Sequence, residues 1–387
     1  MHRLPLDRRL TTLLLTIASL SLVPTASAHE GTVHGGVPHV ILLTLLVIGL
    51  GVLGATALRD RFWQRFGSRL DPRLAAVGLL VGVSMTALGV VGLVELQVEP
   101  IGTTPLTRVY YPVLTFFGGM GIALASLVLY HTRWGDHHAY PVLGTLLGLW
   151  VAYPQLLPRG TVFHPLGYVL VLAVPVVLGY IVWTEVVPAL ARTGRRARTV
   201  GALAGLGFTA FFVVSSGLLS FNPEDVPPAQ GEAFTVVTEF TSPLVMWPAI
   251  ELYRPSIPLF AAVSVGTALV VVVLAGLVTM NATLGVATWR ARSADDGPAA
   301  DRAATDGGTV QGVTGALATT GATACCCCGP AIYGVASAAF GASASPLYWA
   351  FTDPESPLAT VFLVGAIALL TANAVTLSAG VDEACER

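Results

Sequence analysis

The chain contains no lysine; all 20 of its cationic side chains are arginine. A P-loop needs a lysine to reach the phosphates, so nucleotide hydrolysis of that kind is excluded. No H-E-x-x-H or G-x-S-x-G pattern occurs either. Charge of either sign is scarce. Asp, Glu and Arg make up 11% of the 387 residues, where a soluble domain carries about 25%. Apolar residues reach 54%. So few charges cannot solvate the surface of a globule this large, and a lipid bilayer must replace water over much of it. A net charge of −2, with no large basic patch, argues against nucleic acid as a partner. Cysteine is also rare. There are five, four of them consecutive from Cys325 to Cys328, whereas a secreted disulfide framework spaces its cysteines along the chain.

The N-terminus has the layout of a secretory signal peptide over residues 1–28. Arg3, Arg8 and Arg9 form a basic start. Leu10 to Val23 form an apolar core too short to span comfortably, and Ala26-Ser27-Ala28 is a small-x-small cleavage site. Cleavage there makes His29 the new N-terminus, able to chelate through its α-amine and imidazole together. His34 and His39 follow at intervals of five in a glycine-rich stretch. Copper favours such nitrogen ligands, so His29, His34 and His39 are candidate metal ligands. The competing reading is a polar lead-in to the first helix.

A membrane span needs about 20 apolar residues. Nine stretches qualify as candidates: 37–58, 73–96, 109–131, 140–157, 164–187, 199–220, 255–288, 312–340 and 357–379. The expected fold is therefore all-α, a polytopic membrane bundle of about nine helices after a cleaved signal. Residues 29–288 would form a bundle of about seven helices, 289–311 a solvated cytoplasmic linker, and 312–387 two further spans.

Arginine placement orients these spans. With His29 outside, Arg59, Arg61, Arg65, Arg69 and Arg73 fall inside. So do Arg133, then Arg192, Arg195, Arg196 and Arg198, then Arg290, Arg292 and Arg302. Outside loops hold Arg108, Arg159 and Arg254. That is the bias expected of a plasma-membrane protein with its N-terminus outside and its C-terminus in the cytoplasm. The outer loop 221–254 is acidic, and 234–252 is apolar enough for an interfacial or re-entrant helix. Gly78/Gly82 and Gly201/Gly205 are G-x-x-x-G pairs, which permit close helix packing in lipid.

The sharpest feature is the run ATACCCCGPAIYG at residues 322–334. Cys325 begins about a dozen residues into its apolar stretch, about 18 Å at 1.5 Å per residue. Gly329-Pro330 would break the helix there. On a helix, Cys325 and Cys328 share a face, with Cys326 and Cys327 flanking it. Thiolates select soft cations such as Cu(I), Zn(II) and Hg(II). Cysteine also packs as a small hydrophobe, which is the alternative. The run of small residues, adjacent cysteines, then Gly-Pro resembles the first membrane helix of bacterial mercury-uptake proteins. The resemblance covers Gly312 to Tyr333. In that family a vicinal cysteine pair receives the metal within the membrane and passes it inward, which would assign the pair to Cys325–Cys328. This chain departs from the pattern in its nine candidate spans, its four cysteines and the position of the motif near the C-terminus. A second cysteine site is absent unless Cys385 serves.

Other polar residues are less specific. Glu95 and Glu185 lie near the ends of the second and fifth spans, which favours solvated ends over an ion pathway. Met85, Met120, Met246 and Met280 read as packing. His131, His137 and His138 belong to the inner side and His164 to the outer. Three functions follow as expectations. The first is transport or handling of a soft metal ion of the copper or mercury class. The second is a membrane thiol–disulfide oxidoreductase, since adjacent cysteines form a strained, exchangeable disulfide. The third is a structural or assembly subunit with no chemistry of its own.

Overall fold

The computed structural model describes residues 33–34, 37–57, 81–82, 85–86, 89, 106–133, 137–156, 163–216, 218–221, 233–256, 259–295, 350 and 356–386. The signal peptide, the linker 289–311 beyond residue 295 and the cysteine run lie outside them. The chain divides into two compact units, one of residues 1–104 and 330–349, the other of residues 105–329 and 350–387.

In the first unit, β1 (Val33–His34) pairs with β2 (Val37–Pro38), and α1 (His39–Ala57) follows directly. One face of α1, made by Leu42, Leu46, Gly49 and Leu53, packs against Gly82, Thr86 and Gly89. The spacing of four, three and four residues is that of a single helical face. A methyl on Gly89 would meet the backbone of Leu42 and Leu46, and one on Gly49 would meet Thr86. Gly82 therefore does the packing expected of it; Gly78 is outside the described residues. The Thr86 hydroxyl donates to the Gly82 carbonyl at 2.7 Å, satisfying itself within its own turn.

The second unit is mostly helical. A 3-10 turn (Leu106–Tyr110) leads into α2 (Tyr111–Arg133), which forms an antiparallel hairpin with α3 (Ala139–Leu156). Gly119, Ala123 and Ser126 on α2 meet Ala152, Gly148 and Gly144 on α3, so the backbones touch where side chains are smallest. Next comes α4 (Pro165–Ile181), with proline in its first turn, where the missing amide costs nothing. A π turn (Val182–Val186) and α5 (Val187–Arg192) continue the same rod. At Thr193-Gly194 the chain reverses into α6 (Arg195–Ser215). The Arg198 guanidinium donates to the Ala191 carbonyl at 2.8 Å, placing a cation at the negative end of α5.

After the sheet described below come α7 (Val265–Asp295) and α8 (Pro357–Glu386). Gly201 and Gly205 of α6 lie against Thr283 and Thr279 of α7 in antiparallel order. Helices α7 and α8 run parallel. Asn281 bonds to Leu370 and Asn373, and Thr288 meets Gly380 further along in the same sense. Ile181, Leu274, Leu277, Leu284, Leu370, Val151 and Val171 are fully buried at the centre.

Five helices among the described residues are long and apolar enough to cross a membrane: Arg108–Thr132, Pro165–Arg192, Arg195–Val214, Val265–Thr288 and Pro357–Val381. They turn large apolar side chains outward, including Phe117, Val176, Leu206 and Val272, each about two-thirds exposed or more. A water-soluble monomer does not display so much apolar surface; a bilayer is the solvent that suits it.

The expectation of an all-α fold is corrected by a four-stranded antiparallel sheet between α6 and α7. Strands β3 (Leu219–Phe221), β4 (Phe234–Thr241), β5 (Met246–Arg254) and β6 (Leu259–Ser264) order as β3-β6-β5-β4. Residues 234–252 thus form strands rather than an interfacial or re-entrant helix, and the stretch expected as a span from 255 becomes helical only at Val265. The β-branched run Thr235-Val236-Val237-Thr238 favours a pleated strand. The turn at Pro243-Leu244 seats Val245 against Gly167 of α4. The Tyr168 hydroxyl donates to the Met246 carbonyl at 2.5 Å, and its ring meets Trp247 edge-on. The sheet is thereby fixed to one end of the helix bundle.

Candidate functional site

Polar groups in this unit gather at three places. The first is the π turn. Pro188 has no amide to give the Thr184 carbonyl, and the turn just before it widens, with the Val187 amide donating to Val182. The Thr184 hydroxyl donates to the Tyr180 and Ile181 carbonyls at 2.9 and 3.2 Å, occupying acceptors at the entry to the widened turn. Glu185 sits in this turn, half-buried, and accepts a hydrogen bond from the Tyr140 hydroxyl of α3. The His137 ring stacks on Tyr140, with centroids 5.3 Å apart and planes 9° from parallel. Beside them, Tyr130 and the exposed His138 share a 2.8 Å hydrogen bond. Trp183 and Tyr180 point outward from the same level, as aromatic residues do at a membrane boundary. Within the five apolar spans given above, Glu185 is the acidic residue; Asp295, Asp382, Glu383 and Glu386 lie on α7 and α8 beyond the spans' ends. An ionisable group there is costly, and its default reading is functional.

The second place is the α7–α8 seam. The Asn281 amide, almost fully buried, donates to the carbonyls of Leu277 at 2.8 Å and Leu370 at 3.0 Å. Its oxygen accepts from the Asn373 amide at 2.6 Å. These bonds lock the two helices in register. The third is the junction of sheet and bundle, where Tyr153, Tyr168, Trp247 and Gly266 interlock. The Trp247 indole donates to the Pro243 carbonyl at 3.2 Å, and Ser264 and Thr267 cap the start of α7 through reciprocal bonds at 3.0 Å.

The residues singled out from sequence fare as follows. Cys325, Cys326, Cys327, Cys328 and His29 lie outside the described residues. His34 ends β1 and His39 opens α1, each described by its backbone alone, as is Cys385 in α8. Among the described residues, no group of three or more His, Cys, Asp and Glu side chains is arranged to hold a metal. His164 has a local task, its Nδ1 accepting from the Leu166 amide at 3.3 Å to cap α4. Met280 packs beside Val186, Leu284 and Ala374, as expected of a core methionine. Glu185, expected to be a solvated helix end, is instead half-buried and paired. The sequence signal was available: Pro188 three residues downstream, and a Tyr in the neighbouring span. No family model matches the chain, and neither a curated protein nor a solved structure matches it. What the fold defines is a class, a mostly helical protein with membrane-length apolar helices.

Proposed function

We propose that the chain is a nine-span plasma-membrane protein that transports or handles a soft metal ion of the copper or mercury class through Cys325–Cys328. The observation that carries the reading is the cysteine run itself, four adjacent thiols before Gly329-Pro330 in an apolar stretch. A soft cation displaces the thiol proton, so the ion itself would create its thiolate ligands. His29, His34 and His39 would meet the ion first, on the outer side, if the signal is cleaved after Ala28.

The parallel packing of α7 and α8 supports the span count. Two helices that cross a bilayer in the same direction must be separated by an odd number of crossings. Between Asp295 and Pro357 the apolar stretch of sufficient length is 312–340, which holds the cysteines. The arginine bias then leaves the C-terminus in the cytoplasm. A cysteine introduced into 341–356 should accordingly react with a membrane-impermeant maleimide from the side opposite to one introduced into 296–311. Labelling of both from one side would remove the eighth span.

The test of function is metal content. Protein purified in mild detergent under reducing conditions and loaded with Cu(I) or Hg(II) should retain about one ion per chain by elemental mass spectrometry, as expected for soft ions on thiolates. The quadruple Cys325–Cys328→Ala variant should lose it, and His29→Ala should weaken it less. No retained metal after loading would defeat the reading. A reversible disulfide detected by alkylation shift in the same preparation would then favour thiol–disulfide exchange.

A further inference from the structure

We propose that Glu185 is a proton-exchange site of the membrane bundle, held between Tyr140 and the π turn and filled from the adjacent aqueous edge. Three independent observations converge on it. Glu185 is the acidic side chain that the five apolar spans contain, and it is half withdrawn from solvent. A carboxylate within a membrane-length helix is costly. It stands in a π turn, a device that re-aims one side chain within an otherwise regular helix. And it has a dedicated donor, the Tyr140 phenol, reached across two helices.

The surroundings decide from which side a proton arrives. From α3 the titratable groups at this end are Tyr140 and, one turn before it, the exposed His137 stacked on its ring. The apolar cluster that takes in Val182 and Val186 of the π turn draws Met280 and Leu284 from α7 and Ala374, Val375 and Val381 from α8, none of them titratable. Along its own rod the next charge is Arg192, two turns further on. Beyond it Arg195, Arg196 and Arg198 mark the same end of the bundle. The apolar cluster lies on one side of the turn, and the exposed titratable ring in contact with Tyr140 is that of His137. An exposed imidazole can serve as a proton donor or acceptor.

The exchange is a simple acid–base step. The carboxylate takes a proton from hydronium or imidazolium and leaves water or imidazole. In the ionised form Tyr140 donates to a charged acceptor, the stronger kind of bond. In the protonated form the carboxyl is itself a donor, and that bond weakens or reverses. The contact between α3 and the π turn therefore follows the charge state of Glu185.

The inference does not rest on the soft-metal reading, and the two fail separately, since neither metal retention nor Cys325–Cys328 enters the test. A hydrophobic carbodiimide attacks protonated carboxyls in apolar settings. Full-length protein in detergent, treated with dicyclohexylcarbodiimide and digested, should give a Glu185 adduct by mass spectrometry. Its yield should be at least threefold lower at alkaline than at acid pH. Glu185→Gln should abolish that adduct while eluting as a folded species. Tyr140→Phe, which removes the hydroxyl that donates to Glu185, should change the adduct yield at fixed pH. No adduct at any pH in folded protein, or a yield indifferent to both pH and Tyr140→Phe, would mean that the Tyr140–Glu185 bond is a packing tie alone. Protection by sodium at fixed pH would replace the proton with a metal cation and equally overturn the assignment.

Discussion

Replacing Gly119 or Gly148 with valine should unfold the α2–α3 hairpin in detergent or lower its stability by about 3 kcal/mol, the upper end for overpacked sites. The reason is that backbone, not side chain, fills the space. A Cβ on Gly119 would lie 2.5 Å from the Ala152 amide nitrogen and from the Gly148 carbonyl oxygen. One on Gly148 would lie 2.5 Å from the Gly119 carbonyl and 2.6 Å from the Ala123 amide. No rotamer change relieves such contacts, so the helices must separate. Separation exposes no new apolar surface to water in a bilayer, but it forfeits the close van der Waals packing that holds membrane helices together. Gly118 and Gly121 provide the control, since a Cβ there meets nothing within 4 Å. Their alanine variants should match wild type, or exceed it slightly through helix propensity. Equal melting temperatures for Gly119→Val and Gly118→Ala would refute the close approach.

Asn281→Leu should cost about 2 kcal/mol in the same assay, from lost bonds of about 0.6–2 kcal/mol each between membrane helices. Two bonds across the seam vanish together, to Leu370 and Asn373, along with the one to Leu277 within α7. The Asn373 amide then loses the acceptor it has in Asn281. Because the larger penalty lies in orphaning a polar group, removing both partners should be milder than removing one. The Asn281→Leu/Asn373→Leu double variant is expected to recover at least about 1 kcal/mol relative to the sum of the single variants, the coupling of residues in direct contact. Strict additivity would show that the amide pair carries no coupling across the seam.

The helical part of this architecture was readable because lipid demands continuous apolar runs, and such runs survive in any sequence listing. The expected spans 109–131, 164–187, 199–220 and 357–379 fall on helices whose limits differ by a few residues. G-x-x-x-G at Gly201 and Gly205 likewise named a packing face that α7 fills. The sheet escaped for a physical reason. Leu259 to Ser264 and the run that follows are apolar throughout, and a short apolar run carries no period to separate strand from helix. The deciding signals were local: β-branched density at 235–238 and the Ser-Pro turn at 242–243 between two runs of eight and nine residues. Glu185 was visible as a residue but not as a site. Its pairing with Tyr140 spans 45 positions of chain, so Pro188 could mark the turn without naming the partner. Of the residues proposed to bind metal, the backbone of His34 and His39 is described, and the cysteines stand on sequence alone.

The register of α7 and α8 also sets an order of events during synthesis. Asn281 enters the membrane with its side-chain amide facing the seam, but Asn373 is 92 residues behind it. At about 5–20 residues per second, the ribosome needs roughly 5–20 s to supply that partner. For that interval the nascent protein holds a seam with one wall missing, and a buried amide must borrow an acceptor from its own helix, as it does from Leu277 in the finished molecule. Helix α8 is therefore the element that closes this seam. A chain truncated before residue 357 should be the species that quality-control proteases in the membrane recognise first.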